Sequence, residues 1–293
     1  MNTEPTIVAP LAEPARSYRP RNLVTLVAST LIAVLIAVLG LNGTTLSAEA
    51  VSPHRADHST SKPTIVLVHG AFADSSGWNS VASRLLKDGY QVVAFSNPLR
   101  GPQADGEYLR QFLSTIKGPI VLVGHSYGGA VITNGATGNP NVKSLVYVAA
   151  YALAQGESVS AANALGGGHT DVTNHLILRP YPGATAGDGD AYIDPAWFHQ
   201  LFAQDLPRSK TTVMAATQRP GALAALVTPS GEPAWKTIPS WYLVAKQDRI
   251  IPPEAERAMA ARAKARTVSI NSSHVAMQSH PGAVVDLIKA AAR

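Results

Sequence analysis

The sequence predicts an α/β fold, a mostly parallel sheet of about six strands flanked by helices, with an inserted helical cap. Three observations predict it. Short unbroken apolar runs, such as Thr64-Ile65-Val66-Leu67-Val68 and Ile120-Val121-Leu122-Val123, read as strands buried on both faces. Helical patterns alternate with them, which is the signature of a parallel sheet. The alternation stops over residues 151–236 and then resumes.

Each element has its own reason. After the strand at 64–68, a loop His69-Gly70-Ala71-Phe72 leads to a helix over Trp78–Lys87, ended by Gly89. Gln91–Phe95 is the next strand and Glu107–Ile116 the next helix. The strand at 120–123 runs into Gly124-His125-Ser126-Tyr127-Gly128-Gly129 and then an apolar helix near Ala130. Val142–Val148 is a strand. Glycine-rich pieces (Gly166-Gly167-Gly168, Gly183 to Gly189) then separate helical patterns at Ala196–Ala203 and Ser209–Thr217, as in a cap laid over strand ends. Ser240–Ala245 and Thr267–Ile270 are strands, Glu254–Ala263 and Pro281–Ala292 helices. No internal repeat is present.

The N-terminal part is different. Residues 1–22 are Pro-rich and carry Arg16, Arg19 and Arg21, and residues 23–41 carry no charge. Ala48-Glu49-Ala50 follows as a small-residue cleavage signal. Residues 1–50 therefore read either as an export signal cut after Ala50 or as a retained membrane anchor, the apolar run being long enough to span a bilayer. Either reading places the catalytic part outside the cytoplasm, in the periplasm or beyond. Residues 51–63, polar and with His54, Asp57 and His58, read as a linker, and residues 64–293 as the catalytic domain.

Composition excludes several functions. Of 293 residues 46% are apolar, enough for a sizeable core, and the net charge of +5 is scattered without a Lys/Arg run, so no nucleic-acid footprint is present. The absence of cysteine excludes disulfides, thiolate metal sites and a cysteine nucleophile. The His and Asp residues show no metal-ligand spacing, and no metal or cofactor is expected. Contact with a membrane is expected only through the N-terminal segment, if it is not cleaved. Nothing in the sequence bears on oligomeric state.

The chemistry centres on Ser126. Its setting has the form G-x-S-x-G between a buried strand and a helix, the pattern of a nucleophile elbow. A serine hydroxyl is a weak nucleophile and needs a base oriented by a carboxylate. In such sheets these follow in the order Ser, Asp/Glu, His, at the carboxyl ends of later strands. Asp248 follows the strand at 240–245 and His274 the strand at 267–270. Asp248 is thus the orienting acid and His274 the general base. Two backbone donors are needed for a developing oxyanion: the N–H of Tyr127 and, from the loop after the first strand, that of Ala71. Gly70 and Phe72 are placed in the substrate pocket. His125 is expected to point away from the hydroxyl, His69 to brace its loop, and His280 to cap a helix or lie on the surface. His169, His175 and His199 are read as surface residues of the cap.

With Val66-Leu67-Val68-His69-Gly70-Ala71, Gly124-His125-Ser126-Tyr127-Gly128-Gly129, Asp248 and His274 in this order, residues 64–293 resemble the α/β-hydrolase superfamily. Within it they resemble the small methylesterase and hydroxynitrile-lyase-like branch, including its bacterial carboxylesterases. The resemblance implies a compact six-stranded sheet, a cap after the fourth strand of this chain, and cleavage of a small-molecule ester by a Ser-His-Asp triad through an acyl-enzyme. Hydroxynitrile lyases of that branch carry Thr where this chain has Gly70, and Lys where it has Val275; both departures favour an esterase. A lyase, perhydrolase or acyltransferase on the same scaffold, or a ligand-binding hydrolase-like protein, are the alternatives.

Overall fold

The computed structural model describes residues 62–293. The expected signal or anchor over 1–50, and the linker as far as residue 61, lie outside the described residues. The catalytic part begins with β1 (Thr64–Val68), every residue of which is buried. It continues through α1 (Asn79–Lys87), β2 (Val92–Phe95), α2 (Pro102–Ser114), β3 (Ile120–Ser126), α3 (Tyr127–Gly135) and β4 (Val142–Ala150). The inserted segment holds α4 (Val159–Ala162), β5 (Leu176–Arg179), β6 (Asp190–Ile193), α5 (Pro195–Phe202), α6 (Arg208–Ala216), β7 (Gly221–Ala222) and α7 (Leu223–Val227). The chain then returns to the sheet with β8 (Ser240–Ala245), α8 (Pro253–Arg262), β9 (Arg266–Ile270), α9 (Ala276–Ser279) and α10 (Pro281–Ala291).

The main sheet has six strands in the order β2-β1-β3-β4-β8-β9. All five pairings are parallel. The unbroken apolar runs are explained by position: β1, β3, β4 and β8 are interior strands covered on both faces, whereas Val93 on β2 and Val268 on β9 lie exposed at the two edges. Helix α1 packs on α10, and α2 on α3. The strand order reverses between β1 and β3, since the chain leaves β1 for the edge and returns to its other side. Such a switch point opens a crevice at the carboxyl ends of the two strands. Here it brings the loop after β1 against the turn after β3.

Two differences from the expected elements have physical causes. Helix α2 begins at Pro102, five residues before the periodic pattern becomes apolar, because proline suits the first turn and Asp105 accepts from the N–H groups of Arg100 and Gly101. The insertion contains helices, as expected, and also a three-stranded antiparallel sheet β5-β6-β7. Its strands are two to four residues long and partly exposed, too short to give a periodicity.

The elbow itself depends on atoms that are missing. A Cβ on Gly128 would lie 2.4 Å from the Val68 carbonyl oxygen and 2.9 Å from that of His69. Helix α3 thus rests directly on the end of β1. By contrast, a Cβ on Gly282, in the first turn of α10, would meet nothing within 4 Å. Gly128→Ala is expected to destabilise the protein by about 3 kcal/mol, as overpacking against backbone does. Gly282→Ala is expected to stabilise it by up to about 1 kcal/mol through helix propensity. Denaturant midpoints of the two variants check both signs.

Candidate active site

Ser126 ends β3 and starts α3 with φ 54° and ψ −127°, a conformation that L-residues avoid. The strain is held by the surroundings. Its carbonyl accepts from Tyr151 N–H at 3.1 Å, and Gly70 packs so closely that a Cβ there would lie 2.6 Å from Ser126 Cβ and 3.1 Å from its Oγ. Gly70 thus lies directly against the Ser126 side chain. The tight turn puts the Tyr127 amide at the first position of α3, where helix N–H groups have no partner within the helix.

The two groups predicted to assist Ser126 meet each other. His274 Nδ1 lies 2.6 Å from Asp248 Oδ2, and both side chains are fully buried. Asp248 has no freedom to turn, since its Oδ1 accepts from the N–H groups of Ile250 (2.7 Å) and Ile251 (2.9 Å). A carboxylate at Nδ1 favours the tautomer with its proton on Nδ1 and its lone pair on Nε2. That Nε2 is buried and has no hydrogen-bond partner among the described residues. The Ser126 hydroxyl therefore does not bond to it in this conformation, and such bonds commonly tighten only when substrate is bound. The backbone link is nonetheless direct: His125, beside Ser126, is 2.9 Å through its Nε2 from the His274 carbonyl oxygen.

His125 is the donor of that bond, and its ring packs at 4.6 Å from the His274 ring and 6.3 Å from Trp78. His69 braces its loop, as expected: its Nδ1–H donates to the Gly70 carbonyl, and its Nε2 accepts from Asn97 N–H at 3.0 Å. Burial pushes both imidazoles below the ordinary histidine pKa, His125 strongly so, with His274 beside it acting in the same direction. His280 stands exposed at the start of α10. In the cap, His169 pairs with Asp171 at the surface, His175 stacks on Trp197 and His199 meets Thr211.

In the loop after β1, the N–H of Phe72 is taken by the Arg219 carbonyl at 2.8 Å and is not open to a ligand. Phe72 has φ 62°, and its ring meets Phe202 of α5 edge-on. Phe202 in turn packs edge-on against His274, with ring centroids 5.1 Å apart.

Several contacts here had no sequence signal. Asp205 Oδ2, just after α5, accepts from Ser273 N–H at 2.9 Å, and Gln204 Nε2–H donates to the Gln247 carbonyl at 2.6 Å. Adjacent residues of the cap thus hold the loop of His274 and the loop of Asp248. Below the elbow, the Tyr127 hydroxyl donates to Asp105 Oδ2 at 2.7 Å, tying the residue after the serine to the start of α2. Burial, then the charge of Asp105 and this bond, push the Tyr127 phenol far above its ordinary pKa.

The buried histidines yield a pH dependence. Both have folded pKa values below the unfolded one, so their contribution to stability is present above the unfolded value and lost as pH falls. In His125→Gln the amide Nε2–H can still reach the His274 carbonyl but cannot titrate. Between about pH 6.5 and 5 the stability of this variant is expected to fall less steeply than that of the wild type, by about 1.4 kcal/mol per unit. Urea unfolding across that range is the measurement; parallel curves would contradict it.

Comparison with known proteins agrees with the fold. The sequence model described as "Alpha/beta hydrolase family" matches residues 65–287. The alpha/beta hydrolase nvfD of Aspergillus novofumigatus is 28% identical over 79% of this chain and 97% of its own length. The carbendazim hydrolyzing esterase of a Nocardioides species is 36% identical over 33% of this chain and 45% of its own. Among solved structures, a pyrethroid hydrolase from Sphingobium faniae superposes with a TM-score of 0.65 at 21% identity, covering 78% of this chain and 97% of that one. The chain belongs to the alpha/beta hydrolase family.

Proposed function

We propose that the protein is a serine hydrolase that cleaves small carboxylic esters through an acyl-enzyme. The observation that carries this reading is the buried His274–Asp248 pair, with His274 Nε2 free and its carbonyl bonded to the residue beside the strained Ser126. Ser126 Oγ attacks the acyl carbon while His274 Nε2 takes its proton. The resulting imidazolium is stabilised by Asp248, which remains ionised. The oxyanion is met by the backbone N–H groups of Tyr127 and Ala71. His274 then protonates the leaving alcohol, and water attacks the acyl group by the same route in reverse. No cofactor takes part in these steps.

The names of similar proteins, an esterase and a pyrethroid hydrolase, support ester cleavage as the reaction. Val275, beside the base, is apolar and fully buried, so it offers no cation to a leaving cyanide, which favours an esterase over a lyase. The charge-free run at residues 23–41 supports an exported or membrane-anchored enzyme.

The test is hydrolysis of short p-nitrophenyl esters by the purified protein and two variants. Ser126→Ala is expected to lower kcat by at least about a thousandfold, and Asp248→Asn by a comparable factor, with little change in KM. Equal rates for wild type and Ser126→Ala would overturn the mechanism.

A further inference from the structure

A second carboxyl group lies behind the proposed triad. Glu256, in the first turn of α8, is fully buried. Its Oε2 accepts from the Ala245 N–H at 3.0 Å, while the Ala245 carbonyl accepts from the Asp248 N–H at 3.1 Å. One residue at the end of β8 therefore anchors both acids and sets Glu256 beside the Asp248 loop. Glu256 Oε1 is buried and has no N–H or conventional O–H donor as partner among the described residues.

Two ionised carboxylates held close together in a dry interior repel each other and lack hydration, which favours a proton on one of them. Asp248 cannot be that one without losing bonds. It already accepts from the Ile250 and Ile251 amides and from His274 Nδ1, three bonds that favour its anion. Glu256 accepts only one bond and has an oxygen left over. The other groups around the pair do not neutralise it. Tyr242 of β8 gives its hydroxyl to the Ala150 carbonyl, and Tyr151, after β4, gives its own to Asn163 Oδ1. Burial pushes both phenols up, so they stay uncharged. Arg257, next on α8, is paired with Glu254 at the surface, 3.3 Å away with both side chains 52% exposed.

We propose that Glu256 is a neutral carboxylic acid that donates from Oε1 to the Asp248 carboxylate, positioning it and setting how strongly it holds the His274 imidazolium. The inference rests on the triad reading for its role in catalysis, but not for the protonation of Glu256. The proton stays on Glu256 throughout the reaction; Asp248 remains the anion, and only His274 exchanges a proton with Ser126. A neutral donor at Asp248 draws on its charge and keeps the neighbouring imidazole from becoming too basic, so that Nε2 is free to accept at neutral pH. Glu256 is thus a positioning residue, since it acts through Asp248. Burial first, and then the Asp248 charge, push its pKa well above the ordinary carboxylate range.

Infrared difference spectroscopy on the full chain tests the protonation directly. The wild type minus Glu256→Gln spectrum at neutral pH is expected to show a protonated-carboxyl C=O band that shifts in D2O, and the same band is expected in a Ser126→Ala background. Kinetics test the role. Glu256→Leu is expected to lower kcat roughly tenfold, the value of one hydrogen bond to a charged group, and to move the acidic limb of the kcat/KM profile upward. Glu256→Gln, whose amide N–H can donate in place of the acid, is expected to restore most of kcat and the wild-type acidic limb. Absence of the band overturns the proposal, as do identical pH profiles for the Leu and Gln variants. If no ester is hydrolysed by any form, the esterase reading fails, and the band alone decides the state of Glu256.

Discussion

Everything at the site follows from how closely three pieces of backbone approach one another. The end of β1, the end of β3 and the start of α3 meet with no side chain between them, because Gly70, Gly124 and Gly128 have none to offer. A Cβ on Gly124 would sit 2.6 Å from the Gly128 carbonyl oxygen, and one on Gly70 would reach Ser126 itself. Only this contact allows Ser126 to be held at a positive φ above the sheet, and only it brings the loop of Ala71 within range of the serine. The reversal of strand order between β1 and β3 supplies the crevice, and the glycines supply the closeness.

Asp248 and His274 are positioned by a second principle, which is satisfaction of buried polar groups. Asp248 lies in the interior with two backbone amides and an imidazole around it, and Glu256 stands behind it on the same Ala245. The cap is part of this arrangement as well as a cover. Gln204 and Asp205 bond the backbone beside Asp248 and His274, and Phe202 packs on the His274 ring. The order of the site therefore depends on three separate stretches of chain, none of which is adjacent in sequence to Ser126.

What was legible in the sequence divides along the same line. The interior strands announced themselves as apolar runs because both of their faces are covered, and β8 runs over Ser240–Ala245 as read. The elbow was legible because its geometry demands particular residues at fixed spacing. Asp248 and His274 were legible because strand ends are where such groups belong, and the structure brings the two together. The small sheet β5-β6-β7 was not, its strands being too short to impose alternation. Nor were Asp105 under Tyr127, Asp205 at Ser273, or Glu256 behind Asp248. Each reads locally as an ordinary helix-end or loop acid, and each becomes distinctive only through a partner more than twenty residues away or through burial that no local pattern reveals.

The backbone angle at Ser126 sets stability against function at one position. The residue there occupies a region that glycine enters freely and a residue with a Cβ enters at a cost of about 1–3 kcal/mol. Glycine is thus the natural relaxation of the fold at that point, and it is also the substitution that deletes the hydroxyl proposed as nucleophile. Drift toward a more comfortable backbone and drift toward an inert protein run along the same path, and only selection on the hydroxyl separates them.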